Sequence, residues 1–274
     1  MILELYAPPP PLGAYVEMFT FYEDYNPGYS VERLLPEGVI EIIIDLTETP
    51  KFIFDNDKLT EIQSCRTAWV SGMRNRFITI SAGGPHSSMF VIRFRRGMAY
   101  PFLQMPLQEL NYQVVDADLI FCRELNDLRD QLLAAPTPQA KFALAEHYLL
   151  QRAKGHLEDI PPVIRFAIQC ISQHPATIVI SDMVQKIGYS HKHFLALFSK
   201  YVGLTPKQFL RLMRFQSIIY NLEQMNEIEW SRVAYESGYY DQAHFINDFR
   251  AFSGFSPLEY MNAKGEIVNY IPIR

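Results

Sequence analysis

The chain has 274 residues, 49% of them apolar and 20% charged, enough for one large or two ordinary domains with real cores. That composition excludes a disordered chain, a collagen-like repeat and a small disulfide scaffold. Lys and Arg number 25 against 30 Asp and Glu, a formal charge of −5, so the whole-chain balance gives no basic footprint for nucleic acid.

The first residues, MILELYAPPPPLGAY, lack the cationic and apolar regions of a signal peptide. No later apolar run approaches the roughly 18–20 residues of a membrane span, so a soluble, unexported, cytoplasmic protein with no membrane partner is expected. Residues 1–123 read as β-rich. Val39–Leu46, Lys51–Phe54, Ala68–Ser71, Phe77–Ser81 and Met89–Arg95 are short β-branched or aromatic runs between turn residues such as Asn56-Asp57, a pattern that favours a sandwich or small barrel. Glu41, Trp69, Arg93 and Tyr100 are candidates for lining an effector pocket, although a water-facing Glu41 is slightly the better reading of its alternation with Ile40, Ile42 and Ile44. Cys65, Cys122 and Cys170 stand far apart without CxxC spacing and read as reduced core thiols. Only His86 and His147 precede residue 150, too few for a metal-dependent cupin enzyme. With no P-loop, GxGxxG or catalytic triad pattern, no cofactor, metal or catalytic residue is expected.

Helical spacing begins in residues 124–158, with Leu125, Leu128, Leu132 and Leu133, then Phe142, Leu144, Ala145, Tyr148 and Leu149. This stretch reads as a connector and a candidate dimerisation element, with helices packed on their own domain an at least equal reading. Asp159-Ile160-Pro161-Pro162 suits a boundary, with a helical domain over 159–274. Its first helix, Val163–Gln173, places Val163, Phe166, Ala167, Cys170 and Ile171 on one face.

The rest of the chain repeats itself. Phe198-Ser-Lys-Tyr-Val-Gly203-Leu204-Thr205-Pro206 and Phe249-Arg-Ala-Phe-Ser-Gly254-Phe255-Ser256-Pro257 share one pattern, and Gly188-Tyr189 corresponds upstream to Gly238-Tyr239. Each copy reads as a short helix, a glycine turn and a second helix, ending at a Gly stop and a Ser/Thr-Pro start. That is a helix-turn-helix unit, over about 179–201 and 229–252, whose second helix suits a DNA major groove. Lys207–Tyr220 reads as a rod between them, roughly 14 residues and about 21 Å long. Such a rod suits recognition helices set about one duplex turn apart.

These residues resemble the AraC/XylS family of bacterial transcription regulators. The family's C-terminal signature is similar to Gly238-Tyr-Tyr-Asp-Gln-Ala-His-Phe-Ile-Asn-Asp-Phe-Arg250 and the following Phe252-Ser-Gly-Phe-Ser-Pro-Leu-Glu-Tyr260, and the resemblance covers about residues 160–262. Leu35-Pro-Glu-Gly-Val-Ile-Glu41, Ser71-Gly72, Val91-Ile-Arg-Phe-Arg95 and Pro106-Leu-Gln-Glu-Leu110 resemble the cupin-like sensor domain of one branch of that family. The resemblance implies an α+β chain in which a cupin-like sensor precedes two helix-turn-helix units joined by a linker helix. The implied partners are double-stranded DNA in the nucleoid, a small-molecule effector, a second copy in a homodimer and, for an activator, RNA polymerase.

Carried onto this sequence, the first recognition helix is Ser190–Tyr201, with Phe194, Leu197 and Phe198 inward and His191, Lys192, Leu195 and Ala196 as base-reading candidates. Leu195 and Ala196 stand where the family commonly has polar residues and offer a thymine methyl only apolar contact. The second helix follows Asp241 and presents Gln242, Ala243, Ile246 and Asn247, of which the carboxamides suit adenine. Lys200, Lys207, Arg211, Arg214 and Arg250 are phosphate-contact candidates. His191 and His193, two apart on a helix, point in different directions and do not suit one metal ion. The alternative function is a small-molecule-binding or protein-interaction protein with a degenerate helix-turn-helix pair. Charge distribution favours DNA, because Met183–Leu222 holds six basic side chains and no acidic one. The basic footprint is a local stripe on an acidic protein.

Overall fold

The computed structural model describes residues 1–84, 86–224, 228–265 and 267–273. Its N-terminal region is built from β1 (Ile2–Tyr6), β2 (Val16–Tyr25), β3 (Val31–Leu34), β4 (Glu41–Asp45), β5 (Lys51–Phe54), β6 (Glu61–Cys65), β7 (Ala68–Ser71), β8 (Ile78–Ser81), β9 (Ser87–Phe94) and β10 (Val114–Asp116). A further strand, β11 (Tyr270–Ile273), comes from the end of the chain. They form two antiparallel sheets, ordered β1-β2-β9-β4-β7-β10 and β11-β3-β8-β5-β6. The runs expected from β-branched and aromatic residues are all strands, within a residue or two at their ends.

The sheets enclose a small apolar layer of Ile43, Ile53, Cys65, Trp69 and Met89. Alternation on β4 sends Ile43 into that layer and Ile42 and Ile44 into the main core on the opposite face. Both faces of β4 are covered, and all five of its residues are buried. This corrects the water-facing expectation for Glu41, which is 8% exposed and accepts a 2.8 Å hydrogen bond from Arg93 Nε. Its alternation gave a face but not the second sheet that covers it.

Eleven helices follow among the described residues: α1 (Tyr100–Leu103), α2 (Asp118–Phe121), α3 (Glu124–Ala134), α4 (Pro138–Arg152), α5 (Pro162–Gln173), α6 (Ile180–Ile187), α7 (His191–Val202), α8 (Pro206–Leu222), α9 (Trp230–Glu236), α10 (Gln242–Ser253) and α11 (Pro257–Ala263). Among the described residues, no helix is long and apolar enough to cross a membrane. The buried face of α5 is Ile164, Ala167, Ile168 and Ile171, while Phe166 is 49% exposed. The expected face was therefore turned by about one residue, because a close approach at Gly97 selects Ile168: a Cβ on that glycine would run into the Ile168 side chain. The core reading of the cysteines also needs correction. Cys65 is buried, Cys170 is half-buried and Cys122 is exposed.

One apolar core runs unbroken from Val16, Phe90 and Phe94 through Ile164 and Ile168 to Phe198, Phe215 and Phe249. Polar contacts tie the helical region to the sheets as well. Gln216 on α8 donates to Pro36 O at 2.7 Å and to Asn269 Oδ1 at 3.1 Å. Arg33 lies between the Phe77 and Phe255 rings at 4.3 and 4.6 Å. Finally, β11 pairs with β3, so the chain's last strand closes the edge of the second sheet. Pro272 suits that place, because the outer side of an edge strand needs no amide donor.

Candidate nucleic-acid interface

Two helix pairs, α6/α7 and α9/α10, carry the repeated sequence, and the same local devices shape both. Gly188 ends α6 at φ +77°, and Gly238 stands in the corresponding turn at φ +78°. A left-handed residue there costs glycine little and a residue with a β-carbon more. Ser190 caps α7 by accepting from the His193 amide at 3.3 Å, and Asp241 caps α10 by accepting from the His244 amide at 2.7 Å. Capping boxes start the next helix of each copy, Thr205 with Gln208 on α8 and Ser256 with Glu259 on α11. The rod is α8, 17 residues and about 25 Å long at 1.5 Å per residue.

On α7, Phe194 and Phe198 are buried, while His191, Lys192 and Ala196 are exposed and Leu195 is half-buried. The C-terminal end of α7 is occupied within the protein. Tyr201 packs on Tyr100 with ring centroids 4.4 Å apart, and Lys200 lies 5.5 and 5.1 Å over the Tyr100 and Tyr201 rings. Asn111 donates to the Gly203 carbonyl at the helix end. The exposed side chains thus lie at the N-terminal half of the helix, the part that reaches base edges in helix-turn-helix complexes.

On α10, Phe245, Phe249 and Phe252 are buried, Gln242, Ala243, His244, Asn247 and Arg250 are exposed, and Ile246 is half-buried. Asp248 is buried on the inward face and binds Arg211 of α8, with Arg211 Nε donating to Oδ2 at 3.2 Å. Hydrogen bonding to Asp248 holds the Arg211 guanidinium still more firmly in its charged form. Sequence reasoning did not single out Asp248. The available signal was its position three residues after Phe245 and beside Phe249, where a carboxylate needs a partner.

The five phosphate-contact candidates fall into two groups. Lys207 and Arg250 are exposed, the latter 4.0 Å from Glu259. Lys200, Arg211 and Arg214 have partners inside the protein, Arg214 Nε donating to Pro175 O at 2.7 Å. Exposed cations on the basic stripe therefore come from Lys186, Lys192 and Lys207. Tyr240, 95% exposed in the turn before α10, adds a donor at the same surface that the sequence reading passed over.

The four effector-pocket candidates do not converge. Glu41, Trp69 and Arg93 project between the sheets, where Arg93 binds both Glu37 and Glu41. Burial, with the Glu41, Glu37 and Glu32 carboxylates nearby, pushes the hydroxyl pKa of Tyr270 on β11 well above the usual value, against the opposing charge of Arg93. Tyr100 is on α1 against Tyr201, away from that cluster. Among the described residues, no group of three or more His, Cys, Asp or Glu side chains is placed to hold a metal ion.

Comparisons with known proteins find matches to two separate parts of the chain. Residues 4–116 match a family described as a domain of unknown function (DUF6597), and residues 183–263 match a family described as a helix-turn-helix domain. Over 81 residues the chain is 30% identical to an uncharacterized HTH-type transcriptional regulator of Haemophilus influenzae, a match covering 30% of this chain and 27% of that protein's length. Similar solved structures include ToxT from Vibrio cholerae O395 (11% identity, 91% of this chain and 98% of that one, TM-score 0.46). An unsaturated fatty acid-bound ToxT from Vibrio cholerae strain SCE256 is similar at 12% identity, over 91% of this chain and 96% of that one, with TM-score 0.46. The C-terminal domain of AraT, a response regulator from Geobacillus stearothermophilus, is 20% identical over 38% of this chain and 88% of that one, with TM-score 0.37.

Proposed function

We propose that the chain is a transcription regulator of the AraC/XylS kind, supported by its helix-turn-helix match over residues 183–263, and that it binds double-stranded DNA sequence-specifically, placing α7 and α10 in successive major grooves. The observation that carries this reading is the repetition itself. Two helix pairs have matching left-handed glycines, matching N-caps and matching capping boxes, and both second helices expose their N-terminal faces. In this reading Gln242 and Asn247 pair with base edges, His191 and Lys192 probe the other groove, and Leu195, Ala196, Ala243 and Ile246 supply apolar contact. Lys207 and Arg250 hold phosphates.

The same reading divides the chain into a sensor over 1–123, a connector over 124–158 and the DNA-binding region over 159–274. It makes the protein an effector-responsive cytoplasmic regulator rather than an enzyme, with a homodimer partner through the connector and RNA polymerase as a target of an activator. Selection from a random-oligonucleotide pool with the full chain, followed by gel retardation, tests it. Enrichment of one motif, bound at least about a thousandfold tighter than unrelated DNA, is expected. Failure to enrich any motif favours a protein whose helix-turn-helix pair no longer reads DNA.

A further inference from the structure

A cleft of about 380 Å³ opens where the free edges of the two sheets meet, between β5 and β6 on one side and β10 with the segment after β7 on the other. Its apolar wall includes Ile53, Phe54, Ile62, Phe77 and Val114. Arg74 reaches it from the segment after β7 and is itself nine-tenths buried. The Arg74 guanidinium donates to Ser71 Oγ at 2.9 Å, and among the described residues no carboxylate stands at ion-pair distance from it. Glu41, whose field favours the Arg74 charge, is taken by Arg93 at 2.8 Å. No Arg74 nitrogen is among the buried side-chain atoms left without a partner, so the N–H groups not bound to Ser71 stay accessible and can take an acceptor from outside. Burial, helped by the neighbouring Arg76 charge and opposed by Glu41, pushes the Arg74 pKa down to about 10.

The backbone around Arg74 is fixed. Gly72 N–H donates to Gln113 O and Tyr112 N–H donates to Met73 O, and a Cβ at Gly72 would collide with the Leu110 carbonyl. Several of the cleft's other polar groups already have partners. Asp55 accepts the amides of Asp57 and Lys58, and Asn56 is bound to Thr79 and the Phe77 carbonyl. Arg76 and Tyr112 remain at the Arg74 end. The lining thus combines the Arg74 and Arg76 cations and the Tyr112 hydroxyl with apolar side chains, and Asp57 adds an exposed carboxylate at the rim.

We propose that this cleft binds a small organic carboxylate with an apolar body, its carboxylate held in a two-pronged contact by Arg74 and its body against Ile53, Phe54 and Ile62. A planar guanidinium fork matches a carboxylate in shape and charge. Two rim residues also contact the helical region: Phe77 stacks on Arg33, which packs on Phe255, and Tyr112 accepts from Gln208 of α8 at 3.5 Å. Occupancy therefore bears on how α8 and the second helix-turn-helix are held. That coupling rests on the DNA-binding reading; the carboxylate site does not.

Ligand-observed NMR on the full chain, with benzoate, phenylacetate and 3-methylbutanoate against their neutral amides, tests the site without DNA. Benzoate or a sibling carboxylate is expected to bind in about the millimolar range, as suits so small a ligand, with the amide weaker by about tenfold. Arg74→Met should abolish the preference for the carboxylate. Ile62→Glu, at a 64% exposed position on β6, should weaken carboxylate binding while leaving the melting temperature unchanged. Equal binding of acid and amide, an unchanged preference in Arg74→Met, or no binding by any of the three acids overturns the site. Gel retardation with and without the bound carboxylate tests the coupling: a shift in DNA affinity of the wild type that Ile62→Glu lacks supports it, and binding without such a shift overturns it. Should the protein retain no DNA at all, the functional reading fails while the NMR result still decides the site.

Discussion

Arg211 of α8 grips Asp248 of α10 through both Nε and a terminal nitrogen, so the rod between the helix-turn-helix units is fastened to the second recognition helix from its inward side. Asp248 is 6% exposed and the Arg211 side chain is 40% exposed, placing the pair at the seam between core and solvent. Under the proposed DNA-binding reading, this contact helps hold the helix that carries Gln242 and Asn247 without touching either. Asp248→Ala should destabilise the protein by about 1–2 kcal/mol, a charge-assisted bond discounted for the exposed arginine. It should also weaken binding at the bases read by α10 more than at those read by α7. Thermal melts and retardation of half-site variants measure both effects.

Arg214→Ala and Lys207→Ala should separate structure from phosphate contact. Arg214 donates to Pro175 O at 2.7 Å, so its loss should lower stability by about 1 kcal/mol and leave the salt dependence of DNA binding unchanged. Lys207 is exposed, so its loss should leave stability unchanged and reduce the slope of log affinity against log salt by about 0.9. Lys192→Ala should behave like Lys207→Ala. Retardation over a salt series, with a melting curve for each variant, gives the comparison.

The two turn glycines should differ although they occupy equivalent places. A Cβ at Gly188 meets nothing within 4 Å, so Gly188→Ala should cost only the left-handed backbone, about 1 kcal/mol. At Gly238 a Cβ runs into the Ala176 carbonyl, and Gly238→Ala should cost about 2–3 kcal/mol. Equal losses in denaturant titrations would contradict the packing of the second turn against Ala176.

Glu32 on β3 gives a pH dependence. Burial pushes its pKa up from 4.5 to about 7, with the Tyr29 hydroxyl as hydrogen-bond partner at 3.1 Å. The native state therefore keeps a proton that the unfolded chain has lost between those values. Its stabilising contribution is fully present below about pH 4.5 and declines as pH rises to about 7, by about 3 kcal/mol in all. Glu32→Gln should remove this decline. Urea titrations of both proteins across that window provide the check.

Local signals explain what was legible beforehand. The glycine turns and the Ser190, Asp241, Thr205 and Ser256 caps depend on residues within a few positions of each other, so the duplicated units could be read from sequence. Partners far apart in the chain could not. Asp248 meets Arg211 across 37 residues, and β11 meets β3 across more than two hundred, its Tyr-Ile-Pro-Ile run too short to mark a strand alone. Glu41 failed for a related reason: a period of two assigns faces, and only the second sheet shows that both are buried. Arg74 carried no signal, because its burial beside Ser71, with no carboxylate at ion-pair distance among the described residues, arises only on folding.

Replacing the carboxamides on α10 tests base reading separately from affinity. Gln242 opens α10 beside the Asp241 cap and Asn247 lies in its N-terminal half, and both are exposed. Gln242→Ala and Asn247→Ala should each cost about 1–3 kcal/mol on the selected motif and almost nothing on unrelated DNA. Equal losses on both DNAs would assign these residues to phosphate contact.

Hydroxyl-radical footprinting of the full chain on its selected DNA tests most directly whether both recognition helices engage one duplex. Two protected segments, centred about 10 base pairs apart on the same face, are the predicted result. A single protected segment at saturating protein, or none, would contradict the account.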